Sequence, residues 1–335
     1  MRRNLAFMAV LCLAAISAAT ATAQTTSLRG RSLAEALRVL EGRGLRLIYS
    51  TDVVRPEMIV GIEPRSTEPR QMLDELLREH HVDVNILCTV HAANQDHALE
   101  VYRFFRDDLG ARYLQLIPIV ERDNETGYQE GNAVTERSVD PDAWGRFLGA
   151  VFDEWVRRDV GTMFVQMFDA ALASWVGIAP SMCIFREECG DAVVLEHNGD
   201  LYSCDHFVEP GYLLGNVMHT SMVELVASPR QRAFGAAKRD TLPRYCRECE
   251  VRFACNGECP KNRFTLTPDG EPGLNYLCAG YKAFFTHVDG LMRIMAERLR
   301  TGRAPADVMD VLASAPRNEP CPCGSGRKAK LCHAR

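Results

Sequence analysis

A mixed α/β chain is predicted, in which a partial parallel β/α barrel runs into a cysteine-rich metal-binding region, with a small module at either end. Three observations lead there. Between residues 84 and 120, two largely apolar strand-like runs flank an amphipathic helix, the order of a parallel β/α unit. Eight of the 13 cysteines fall between Cys183 and Cys278, at spacings too short for a spread-out disulfide network. Residues 24–80 and 316–335 each carry a compact pattern of their own. A formal charge of -5 with 47% hydrophobic residues describes a globular chain and gives no reason to expect a nucleic-acid partner.

The first element is a leader. Arg2 and Arg3 precede an apolar run from Leu5 to Ala19, and Ala21-Thr22-Ala23 supplies a small-x-small cleavage site. Residues 1–23 therefore read as a secretory signal peptide, too short in its apolar run to span a bilayer, so no transmembrane span is expected after cleavage. A buried N-terminal helix is the alternative. In the unit over 24–80, "SLAEALRVLEGRGL" repeats Leu33, Leu37 and Leu40 at helical spacing and stops at Gly44. "RLIYS" and "MIVGIE" read as two short strands. "STEPRQMLDELLREH" reads as a second helix with Ser66 and Thr67 as candidate caps.

Over 81–180 the expected order is a strand at 84–90, a helix at 96–109, a strand at 112–120 and a helix from Asp140–Pro141. A short strand or helix and a further helical stretch follow in "TMFVQMFDAALASWVG". Two or three such units are too few to close an eight-stranded barrel. Residues 181–285 are punctuated by glycines and include a hairpin turning at Asn198-Gly199. Residues 286–315 read as a helix and linker.

The chemistry sits in the cysteines. Cys183-x5-Cys189 is followed by Cys204, by Cys246-x2-Cys249-x5-Cys255-x3-Cys259, and by Cys278. Eight thiolates make two sets of four, the ligand complement of a [4Fe–4S] cluster and equally of structural zinc. Spacing alone leaves both open, with disulfides as a third choice in an exported chain. Ligation needs reduced, deprotonated thiols, which favours a reducing compartment and so conflicts with the leader.

This pattern resembles the SPASM domain of radical S-adenosylmethionine enzymes. "NILCTVHAANQDHALEVYRFFRDDLGARYLQLIPIVER", "FVQMFDAALASWVG" and "LYSCDHFVEPGYLLGNV" are similar to the anaerobic sulfatase-maturating enzymes in particular, over about residues 78–300. The resemblance implies two auxiliary [4Fe–4S] clusters, one on Cys183, Cys189, Cys204 and Cys259, the other on Cys246, Cys249, Cys255 and Cys278. It implies a sulfatase polypeptide as substrate, whose Cys or Ser becomes formylglycine, and Asp205 as the base that deprotonates it. A turn aspartate is the plainer view of Asp205, and His206 is expected to pack rather than ligate. The family also holds a cluster for S-adenosylmethionine on C-x3-C-x2-C. That motif is absent from the 335 residues, where only Cys12, in the leader, and Cys88, a small buried strand residue, precede Cys183. Autonomous catalysis is therefore not expected.

Two lesser resemblances frame this region. The unit at 24–80 resembles the short N-terminal domain of secretins and TonB-dependent receptors, which implies a periplasmic interaction module. At 316–335, Cys321-x-Cys323-x8-Cys332-His333 resembles the SEC-C motif, which implies zinc on those four side chains. Arg327, Lys328 and Lys330 give it a basic face for a protein partner. Alternatives to a maturase-type iron–sulfur protein are a non-catalytic exported metal-binding interaction protein and a fused or truncated gene product. The leader points to the periplasm, the cluster-type cysteines to the cytoplasm.

Overall fold

The computed structural model describes residues 27–47, 49–80 and 84–333. The leader at 1–23, with Cys12, lies outside them. The chain divides between Val82 and Asp83 into two compact units. In the first, α1 (Leu33–Gly42) opens on a reciprocal cap between Ser32 and Glu35, and α2 (Pro69–Glu79) buries Met72 and Leu76. The cap of α2 is Glu68, which accepts from Gln71 N, and neither Ser66 nor Thr67 takes that position.

The two expected strands of this unit do not form ladders among the described residues. Residues 58–60 run instead beside the entry to α1, with Gly30 N donating to Val60 O (2.7 Å) and Leu33 N to Met58 O (2.7 Å). Carboxylates of α2 take the amides that a second strand would need: Glu79 accepts from Gly61 and Ile62, and Glu75 from Arg65 and Ser66. The Ser50 carbonyl accepts from Val53 and Val54, so the chain after "RLIYS" turns away. Side-chain acceptors competing for backbone donors leave no periodic trace in a sequence.

The second unit begins with β1 (Asn85–Val90), α3 (Ala98–Arg103), β2 (Tyr113–Pro118), α4 (Pro141–Arg158), β3 (Phe164–Val165) and α5 (Gln166–Val176). The strands form a parallel sheet in the order β1–β2–β3, with Asn85 opposite Tyr113 and Tyr113 opposite Phe164. Cys88 is buried in β1, as expected. The helix expected over 96–109 is shorter: α3 gives way at Phe104–Asp108 to a wider π-type turn. There Arg106 reaches in to Asp159 (2.8 Å) and Glu154 (3.2 Å). Asp140 caps α4, accepting from Ala143 N (2.8 Å) ahead of Pro141.

The cysteine-rich region is built from small pieces. β4 (Val194–Leu195), β5 (Asp200–Tyr202) and β6 (Leu213–Asn216) form an antiparallel sheet, with the expected turn at Asn198-Gly199. Four short helices follow: α6 (Met222–Val226), α7 (Pro229–Asp240), α8 (Arg244–Arg247) and α9 (Arg252–Cys255). β7 (Thr265–Leu266) pairs with β8 (Pro272–Leu274), and α10 (Cys278–Arg300) then crosses the whole unit. The stretch after Arg300 is not an open linker. It contains α11 (Asp307–Ala313), whose Val308 and Leu312 are buried in the main core. No helix among the described residues is long and apolar enough to cross a membrane.

Helices α4 and α10 make the spine of this unit. Trp144, Phe147, Val151, Phe152 and Trp155 of α4 meet Tyr281, Phe284, Phe285, Val288 and Met292 of α10 in one buried cluster. Their closest approach depends on two glycines. A Cβ at Gly145 would stand 2.8 Å from Gly280 Cα, and one at Gly280 would collide with the Pro141 carbonyl. Glycine within a helix ordinarily costs about 0.5–1 kcal/mol against alanine. Here the sign reverses: Gly280→Ala is expected to destabilise the unit by about 1–3 kcal/mol through overpacking. At Gly149, by contrast, an added Cβ meets nothing closer than 3.6 Å. Thermal melting should rank Gly149→Ala at or above the parent chain and Gly280→Ala below it.

Candidate iron–sulfur and metal centres

The cysteines sort themselves into separate cavities. Cys183, Cys189, Cys204 and Cys259 line one, together with Ser203, His206, Phe207 and Phe234. Cys246, Cys249, Cys255 and Cys278 line another, with Tyr245, Arg252, Tyr281 and Lys282. The grouping of the lining cysteines is the one that the family resemblance implies. Burial pushes the Cys204 and Cys278 thiols up to about 12, and it raises Cys189, Cys246, Cys255 and Cys259 as well. Such thiols ionise at neutral pH only against a strong positive charge, as a bound metal would supply. Tyr281 lines the second cavity, and its hydroxyl is buried.

The thiol groups differ in how tightly they converge. Tetrahedral zinc, with Zn–S near 2.3 Å, brings its thiolates to within roughly 3.8 Å of one another. Among the described residues, no three thiols of either cavity come within 4.8 Å of each other. Neither set converges as tightly as the four C-terminal donors do. Cys321, Cys323, Cys332 and His333 do converge within 4.8 Å, with Cys323 Sγ 3.6 Å from Cys332 Sγ and His333 Nδ1 3.3 Å from Cys332 Sγ. That donor set fits a single tetrahedral ion.

A left-handed turn separates the two cavities. Cys255 serves one and Cys259 the other, and all three residues between them have positive φ: Asn256 (47°), Gly257 (72°) and Glu258 (53°). Non-glycine residues resist this region by about 1–2 kcal/mol each. Arg263 holds them there. Its guanidinium donates to the carbonyls of Gly257 (2.9 Å), Asn256 (2.9 Å) and Glu258 (3.1 Å), and to Lys238 O (2.6 Å). The buried Glu258 carboxylate accepts from Asn262 (3.2 Å) and Asn275 (2.5 Å).

Helix α7 organises the first cavity through residues at i, i+4 and i+7. Gln231 donates to Gly190 O (2.8 Å) and Ser203 O (3.1 Å), tying the Cys189 and Cys204 loops together. Gly235 leaves room for the Cys189 carbonyl. Lys238 is 1% exposed and donates to Cys183 O (2.7 Å) and Ile184 O (2.8 Å). Neither Lys238 nor Arg263 forms an ion pair with a carboxylate among the described residues. Burial lowers the pKa of both, and the neighbouring thiols oppose that shift. None of this group was singled out from sequence; Glu258, set between two cysteines, offered the only hint.

Asp205 follows Cys204 and is largely exposed, with Oδ1 3.2 Å from the Cys204 Sγ. His206 packs at the cavity wall, Nδ1 3.7 Å from Cys259 Sγ, and burial holds its pKa below the usual imidazole value. The C-terminal quartet is not a free appendage: Cys321 and Cys323 are buried in the main core, and Arg157 donates to Cys332 O (3.0 Å).

Residues 183–250 match the model of the SPASM iron–sulfur cluster-binding domain, and residues 317–335 match the SEC-C motif. A serine-type anaerobic sulfatase-maturating enzyme of Bacteroides thetaiotaomicron is 46% identical over 248 residues, which cover 71% of this chain and 59% of that protein. This chain is a relative of the anaerobic sulfatase-maturating enzymes. Another serine-type relative, from Klebsiella pneumoniae, is 33% identical over 64% of this chain and 50% of its own length. The cysteine-type enzyme of Clostridium perfringens is 27% identical over 64% and 56%. The chain thus spans between half and three-fifths of the length of these three relatives. Among solved structures, native anSMEcpe with bound AdoMet and Cp18Cys peptide superposes with a TM-score of 0.60 at 25% identity, over 68% of this chain and 62% of that one. The SPASM match contains Cys183, Cys189, Cys204, Cys246 and Cys249; the other three cysteines lie beyond it.

Removing the buried ties should act on the two cavities differently. Lys238→Met leaves two carbonyls beside Cys183 unbonded, an expected loss on the order of 1–3 kcal/mol for each. Iron analysis of the reconstituted variant should find about four irons, those of the second set. Arg263→Met releases the turn that both sets share, and the same analysis should find iron reduced in both.

Proposed function

We propose that this chain holds two [4Fe–4S] clusters, on Cys183, Cys189, Cys204 and Cys259 and on Cys246, Cys249, Cys255 and Cys278, and a zinc ion on Cys321, Cys323, Cys332 and His333. In this reading it serves the oxidation of a sulfatase side chain to formylglycine. The observation that carries it is the gathering of each thiol set around its own cavity. When bound, the clusters would supply an electron sink.

The chain's own residues would do the rest. Asp205, exposed beside Cys204, would accept the proton of the substrate hydroxyl or thiol. The serine-type names of the relatives from Bacteroides thetaiotaomicron and Klebsiella pneumoniae favour a serine side chain as substrate. The 335 residues contain no C-x3-C-x2-C, so the hydrogen-abstracting radical is assigned to a cluster that these residues do not hold. The unit before Val82 is taken as an interaction module without catalysis.

Anoxic purification followed by iron, sulfide and zinc analysis tests the metal assignment. About eight irons per chain are expected from two [4Fe–4S] clusters; zinc alone, without iron, would sink the reading. With S-adenosylmethionine, reductant and a serine-containing sulfatase peptide, no formylglycine is expected from this chain by itself. Measurable S-adenosylmethionine cleavage would overturn the assignment of the radical step elsewhere.

A further inference from the structure

We propose that Asp153 is the outer-shell carboxylate of the C-terminal metal site, and that through it the bound ion staples α4 to α10. The geometry is specific to the two ring nitrogens of His333. Nδ1 faces the thiols, 3.4 Å from Cys321 Sγ and 3.3 Å from Cys332 Sγ. Nε2 points the other way, to Asp153 Oδ1 at 3.0 Å. A histidine that gives one nitrogen to a metal must carry its proton on the other, and a carboxylate there fixes the tautomer and strengthens the ligand. The same Asp153 oxygen accepts from His287 Nε2 at 2.7 Å.

Asp153 belongs to α4 and His287 to α10, so one carboxylate oxygen joins both helices to the metal ligand. Each helix makes a second contact close by. Arg157, one turn along α4 from Asp153, donates to Cys332 O (3.0 Å). On α10, Gly290 leaves space that the Cys323 carbonyl fills, and any Cβ there would collide with it. His333 itself is 4% exposed. An ion bonded to the three thiolates and the imidazole would add four metal–ligand bonds to these contacts. Removing it therefore weakens the clip across the helix that begins at Cys278.

This inference rests on the C-terminal site binding zinc, and the test separates the two. The full chain, loaded with zinc, is challenged with a chelator of known affinity. Asp153→Asn is expected to weaken zinc retention by about 10–100-fold. Stripping zinc from the parent chain is expected to lower its melting midpoint. A chain that takes up no zinc at these residues overturns the site and the staple together. Zinc bound equally well by Asp153→Asn, or a parent chain whose melting ignores zinc removal, overturns the staple alone. The parent-chain melting needs no variant, so a misfolded Asp153→Asn protein leaves the test standing.

Discussion

Three residues separate Cys255 from Cys259, and that tether governs how the two thiol sets are built. Thiols so close in sequence would ordinarily share a site. The left-handed run Asn256-Gly257-Glu258 turns the chain over between them, so each enters a different cavity. Such a run is unfavourable on its own for the two non-glycine residues. It persists because Arg263 bonds all three carbonyls while Glu258 is held by two asparagines. Arg263 also bonds Lys238 O, and Lys238 bonds the Cys183 carbonyl. A single chain of buried donors thus runs from one thiol set to the other. Neither cavity can keep its shape if the turn between them relaxes.

Around that turn, apolar packing supplies the frame. Phe185, two residues past Cys183, sets its ring edge-on against Tyr281 (5.8 Å) and Phe285 (5.4 Å). Tyr281 meets Trp144 of α4 in the same way (6.1 Å). The first cysteine loop, the helix carrying Cys278 and α4 are therefore one packed body. Polar ties position the thiols locally, while aromatic contacts keep the two cavities in register with the β/α layer.

Much of this was legible in the sequence, for identifiable reasons. The strands at 85–90 and 113–118 are apolar runs in a parallel sheet, and α4 announces itself with Asp140-Pro141 and a clean apolar stripe. The division of the cysteines rested on resemblance to a family, and the cavities group them in the same way. What stayed hidden is polar and buried. Helix α7 turns Gln231, Gly235 and Lys238 inward, so its buried face looks like a solvent face. "MIVGIE" carries a strand-like pattern, but Glu75 and Glu79 claim its amides and those that follow. Asp153 and His287 lie far apart in sequence, and nothing in either neighbourhood signals that Asp153 joins His287 to a histidine near the C-terminus.

The crossing of Cys259 into the first cavity bears on how the protein is made. Cys183, Cys189 and Cys204 leave the ribosome well before their fourth partner, which follows Cys204 by 55 residues (259 minus 204). At a synthesis rate of about 5–20 residues per second, that interval lasts roughly 3–11 s. Three thiols are therefore exposed through that time with no closed cavity to shelter them. An oxidant arriving in that interval would find three thiols that the cavity does not yet enclose. The second set is spared most of this, because Cys246, Cys249 and Cys255 emerge close together and Cys278 is soon after. The topology that binds the two sites into one body also makes the first of them the slower to assemble and the easier to spoil.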